Sequence, residues 1–123
     1  MDYVATTNAP GAIGPYSQAI KAGGFLFTSG QIPINPASGT VEAQTIEEQA
    51  TQVCENLKAV AEAAGTSLDK TVKTTCFLAD ISDFAAFNEV YAKYFTGKPA
   101  RSCVAVKDLP KGVLCEVELV AEL

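Results

Sequence analysis

The sequence predicts an α+β protein of order β-β-α-β-α-β-β, with a mixed sheet backed on one face by two helices, and three observations carry that reading. Two segments repeat their apolar residues at helical spacing. The other apolar segments are short, rich in β-branched residues and bounded by turn formers. Finally, 123 residues suit one folding unit, 1-123, in which 48% hydrophobic and 19% charged residues favour a packed core over disorder.

Taking the elements in order, the pattern allows a short leading strand at Tyr3 to Ala5. Tyr16 to Ala22 and Phe25 to Ser29 flank Gly23-Gly24, and paired glycines permit the positive φ angles of a tight hairpin, so these two segments read as antiparallel strands. A loop rich in turn formers, Pro33 to Gly39, leads to Thr45-Ile46-Glu47-Glu48, a capping-box pattern that starts a helix. Ile46, Ala50, Val53, Leu57, Val60, Ala61 and Ala64 form its buried face, and Gly65 supplies the stop. Thr71 to Leu78 reads as a strand after a helix-to-strand crossover. Ser82 or Asp83 then caps a second helix with apolar positions Phe84, Phe87, Val90, Tyr91, Tyr94 and Phe95, ended by Gly97-Lys98-Pro99. Two last strands, Ser102 to Val106 and Val113 to Ala121, are joined by a turn at Asp108 to Gly112.

Two such helices cover one side of a sheet. Phe25, Phe27, Val104, Val106, Val117 and Leu119 would then not all find cover within one subunit, and an oligomer that buries the open face is the natural solution.

Composition narrows the chemistry. There is no histidine, which removes imidazole bases, Ser-His-Asp and Cys-His systems and histidine zinc sites. Cys54, Cys76, Cys103 and Cys115 form no C-x-x-C pair, so neither a metal knuckle nor a dithiol motif is expected, and they read as buried free thiols of a reducing compartment. No phosphate-binding or dinucleotide fingerprint occurs. A net charge of −5 makes nucleic acid an unfavourable partner. No apolar run at the N-terminus suits a signal peptide and none is long enough for a bilayer, so no membrane association and a cytoplasmic location are expected.

Arg101 is the single arginine among nine basic residues and stands immediately ahead of an apolar strand. Its guanidinium fork matches a carboxylate bidentately, which makes it a candidate clamp; the competing reading is an arginine paired with an acidic residue for structural reasons. Glu116 interrupts an apolar strand that the turn would place antiparallel to the one Arg101 starts, so the two are expected to be close. Without histidine a glutamate is a fitting general base for water, while an edge-strand glutamate in solvent is the plainer alternative. Burial raises its pKa and a neighbouring arginine lowers it, and the sequence leaves open which wins. Ser29-Gly30 ends a strand where a glycine lets backbone approach a ligand, Tyr16 could present its hydroxyl, and Cys103 shares a strand face with Arg101. Strand ending, a half-buried tyrosine and a core thiol account for these three equally simply.

Together the pieces resemble the Rid family, the reactive intermediate or imine deaminases also called YjgF proteins. The matching strings are Asn8-Ala9-Pro10 with Ile13-Gly14-Pro15-Tyr16-Ser17-Gln18-Ala19, Phe27-Thr28-Ser29-Gly30-Gln31-Ile32-Pro33, Val72-Lys73-Thr74-Thr75 with Leu78-Ala79-Asp80, and Pro99-Ala100-Arg101-Ser102-Cys103-Val104 with Leu109-Pro110 and Glu116. The resemblance, closest to the archetypal subgroup, implies a chorismate-mutase-like fold assembled as a homotrimer with sites between subunits. It implies hydrolysis of 2-imino acids such as 2-iminobutanoate and 2-iminopropanoate to 2-oxo acids and ammonia, without a cofactor or a metal. On this basis Arg101 holds the substrate carboxylate with the Cys103 main chain, Glu116 positions or deprotonates water, and Tyr16, Ser29, Gly30 and Asn88 line the pocket. A regulatory protein that binds a small carboxylate without turnover uses the same residues, and RNA cleavage or translational inhibition has been attributed to some relatives. A chaperone-like role after thiol or lysine modification is a further alternative.

Overall fold

The computed structural model describes residues 1–123. Local rules explain the elements. β1 (Asp2–Val4) precedes β2 (Ala19–Ala22) and β3 (Phe25–Thr28), and Gly23 and Gly24, at φ +61° and +84°, make the two-residue turn between the latter pair. α1 (Ile46–Ala63) begins in the expected capping box: the Thr45 hydroxyl accepts from the Glu48 N–H, and the Glu48 carboxylate accepts from the Thr45 N–H. β4 (Thr71–Leu78) and α2 (Phe84–Tyr94) follow, then β5 (Ala100–Ala105) and β6 (Cys115–Glu122).

Two sequence expectations shift here. Tyr16 to Gln18 lie outside the strand, because Gln18 is spent on the preceding loop: its side chain bonds the backbone of Thr6, Ala9 and Pro10. Asp80 provides the side-chain cap ahead of α2, accepting from the Ser82 N–H at 2.9 Å, while Asp83 makes no side-chain cap.

The six strands form one mixed sheet in the order β1-β2-β3-β6-β4-β5, in which only β4 and β5 run parallel. β4 therefore lies between β5 and β6, and the two last strands do not pair with each other, contrary to the hairpin-like expectation. Leu26, Thr74, Cys76, Leu78, Cys115, Val117, Leu119 and Ala121 point toward the helices and are buried with Val53, Leu57, Val60 and Phe87. Val117 and Leu119 thus belong to the covered face rather than the open one. Phe25, Phe27 and Val104 do stand on the bare face, 38%, 46% and 45% exposed, and Val106 just past β5 is half-buried. No helix is long and apolar enough to cross a membrane.

Candidate functional site

Register places the chemistry-bearing residues. Arg101 aligns with buried Thr74 and Cys103 with buried Cys76, so both point to the helix side of the edge strand β5. Glu116 aligns with Phe77 and alternates with buried Cys115 and Val117, so it projects from the opposite face. One strand, β4, lies between them, so β5 and β6 are two strand spacings apart, about 10 Å across the sheet. Arg101 and Glu116 therefore do not meet within one chain. Nor is Glu116 on an edge: β6 is flanked by β3 and β4.

The arginine end is held by α2. Phe84, Asn88 and Tyr91 lie at i, i+4 and i+7 on one helix face. A guanidinium N–H donates to Asn88 Oδ1 at 2.6 Å, and the guanidinium carbon sits 4.8 Å from the Tyr91 ring centre and 5.4 Å from that of Phe84. All the partners of this half-buried cation are neutral, which sets aside pairing with an acidic residue of the same chain. Beside it lies a depression of about 350 Å³, lined by Asn88, Tyr91, Lys98 and Pro99 among others. Cys103 is half-buried, and burial pushes its thiol above the ordinary range, which keeps it a poor nucleophile.

The glutamate end is shaped by backbone. After β3 the chain makes an isolated bridge at Gln31, whose N–H donates to Val117 O at 2.8 Å and whose carbonyl accepts from the Val117 N–H. This pins Gly30 beside Glu116, and a Cβ at Gly30 would overlap the Glu116 carboxylate. The glycine thus makes room for a side chain of its own protein. Ser29 donates its hydroxyl to Ser17 O at 2.6 Å and its N–H to Gln18 O, tying the Tyr16 segment to the end of β3. Exposed Tyr16 and Gly30 share the wall of a cavity of about 340 Å³ with Gln31, Pro110 and Lys111. Burial, and after it the charge on Glu118, holds the Glu116 carboxyl above its ordinary value of 4.5. The sequence left the balance of these influences open; within one chain burial governs, because Arg101 is on the other face.

A larger groove of about 670 Å³ along Tyr3 to Gln18 offers no carboxylate, amine or thiol. All four cysteines are free, and burial raises Cys76 and Cys115 to about 12. Sequence reasoning missed Tyr91 and Phe84 as neighbours of Arg101, since their spacing reads simply as core. The available signal was Asn88, a polar residue within that apolar stripe.

Comparison with known proteins finds full-length relatives whose names differ in the function they state. The family model described as Endoribonuclease L-PSP matches residues 6–123. The RutC family protein y4sK of Sinorhizobium fredii is 55% identical, over 98% of this chain and 96% of its own length. The 2-iminobutanoate/2-iminopropanoate deaminase of Escherichia coli is 49% identical, over 96% of this chain and 94% of its own length. Among solved structures, the protein YyfA of the conserved Rid family from Yersinia pestis is 51% identical with a TM-score of 0.96, covering 99% of this chain and 98% of that one.

Proposed function

The chain belongs to the Rid or YjgF family, and from that premise we propose that it is a cytoplasmic 2-imino acid deaminase, converting 2-iminobutanoate and 2-iminopropanoate to 2-oxo acids and ammonia. The observation that carries the reading is Arg101: a half-buried, fixed guanidinium with no carboxylate of its own chain, fit to receive a carboxylate from outside. Its substrate is the small imine left when pyridoxal-phosphate enzymes dehydrate serine or threonine.

Because Arg101 and Glu116 face opposite ways, one small substrate joins them only where the β5 edge of one copy meets the open face of another. The apolar patch of Phe25, Phe27 and Val104 favours such an assembly, which we take to be a homotrimer with three equivalent sites. In each site Arg101 and the Cys103 main chain orient the acid group, with Asn88 beside them. Across the interface Tyr16, Ser29 and Gly30 shape the wall. Glu116 takes a proton from the attacking water as oxygen bonds to the imine carbon. It returns that proton to nitrogen and takes the hydroxyl proton as the C–N bond breaks and the carbonyl forms; the departing ammonia carries that proton away, so a protonated 2-imino acid plus water becomes a 2-oxo acid plus ammonium. The iminium carbon is already electrophilic, so orientation and one base suffice, with no cofactor or metal in the scheme.

The test generates 2-iminobutanoate in situ from an amino acid with an oxidase, traps the imine competitively with semicarbazide, and follows its loss. Accelerated loss with the protein supports the deaminase. Binding of 2-oxobutanoate with no acceleration would replace it with a carboxylate-sensing regulator.

A further inference from the structure

We propose that Asn88 and Tyr91, with Phe84, are positioning residues that form an electrically neutral cradle for Arg101, keeping its whole positive charge available to a ligand carboxylate. The inference rests on the deaminase reading above and gives Asn88 a different task from lining the pocket.

Ordinarily a half-buried guanidinium is fixed by a carboxylate, which supplies both geometry and charge balance. Such a partner would have to be displaced, or shared, when an anionic substrate arrives. Here geometry is supplied without charge. The amide oxygen of Asn88 takes one N–H at 2.6 Å, leaving the rest of the donor fork unspent, and the Tyr91 face lies 4.8 Å from the guanidinium carbon. The π face attracts a cation and offsets part of its lost hydration while leaving the net charge intact.

The cradle is itself anchored. The Tyr91 hydroxyl shares a 2.7 Å hydrogen bond with Thr74 Oγ1, and Thr74 is fully buried and is the residue in register with Arg101 on the adjoining strand. Strand β4, helix α2 and strand β5 thus close a loop around the guanidinium. Ring stacking of Tyr91 on Phe95, at 4.5 Å between centres, steadies the other side. Burial pushes the Tyr91 phenol above its ordinary range, so no phenolate supplies a counter-charge.

Calorimetric titration with 2-oxobutanoate, alongside melting temperature, separates this role from mere packing. Asn88→Asp retains size and acceptor but adds the missing negative charge, and it is expected to weaken binding by about thirtyfold or more without lowering the melting temperature. Tyr91→Leu should weaken binding by about tenfold, and Tyr91→Phe, which keeps the π face, by no more than about threefold. A second readout stands if a variant folds poorly: Arg101 is the only arginine, so 15N-arginine labelling gives one Nε–Hε signal. Its ring-current displacement should persist in Tyr91→Phe and vanish in Tyr91→Leu. Full affinity in both Asn88→Asp and Tyr91→Leu, or an unmoved Nε–Hε signal in Tyr91→Leu, overturns the cradle while leaving the deaminase standing. Failure of the wild type to bind, with Arg101→Ala indistinguishable from it, overturns the underlying reading.

Discussion

The two ends of the proposed site, around Arg101 and around Glu116, are built in opposite ways. At β5 the functional group is held by side chains: Asn88, Tyr91 and Phe84 fix Arg101, and Thr74 fixes Tyr91. At β6 the proposed base is accommodated by backbone: Gly30 withholds a side chain, the Gln31–Val117 bridge sets the approach, and no hydrogen bond acts on the Glu116 carboxyl. A cation that must meet an anion gains from being fixed beforehand by neutral groups. A base that must meet water needs room and a raised proton affinity, which partial burial provides.

The comparison is broken most severely at Arg101. Arg101→Ala removes charge-assisted hydrogen bonds contributing about 1.5 to 3 kcal/mol each, so kcat/KM for 2-iminobutanoate should fall by about 10² or more. Unchanged imine hydrolysis would sink the clamp. At the other end Gly30→Ala should cost activity about tenfold, through displacement of the Glu116 carboxylate. Since the obstructing atoms are the far end of one side chain, the melting temperature should stay within a few degrees of wild type. Equal losses of activity and stability would mean that Gly30 serves the fold instead.

Smaller effects come from proton affinity. A base works ionised, so activity should rise as pH climbs through the raised Glu116 value, and Glu118→Gln, removing the lesser cause, should move that acidic limb to lower pH. A folded value above the unfolded one means that the fold favours the protonated carboxyl. Its stabilising contribution is complete below the ordinary carboxylate value and is lost as pH rises through the folded one. Glu116→Gln should therefore melt higher than wild type at neutral pH and match it in acid; a lower melting temperature at neutral pH would contradict the burial argument.

What could be read from the sequence followed range. The α1 capping box and its apolar face depend on residues three or four apart, and both stand as expected. Strand order depends on pairings far apart in sequence, and the turn at Asp108 to Gly112 suggested a neighbour relation between β5 and β6 that β4 interrupts. Facing was legible but misjudged: in Cys115-Glu116-Val117-Glu118-Leu119 the carboxylates alternate with the apolar residues, which already assigns Val117 and Leu119 to the core. Tyr91 escaped notice because a residue at helical spacing looks the same whether its ring packs only on the core or also underlies a cation.

The central claim is that one site draws Arg101 from one copy and Glu116 from another. It is tested most directly by mixing Arg101→Ala with Glu116→Ala, each inactive alone, after co-refolding in equal amounts. Random reassortment gives each interface an intact arginine and an intact glutamate with chance about one half each, so activity should return to about a quarter of wild type. Subunit exchange verified by mass spectrometry with no recovered imine hydrolysis would place both residues' work within a single chain and contradict the account.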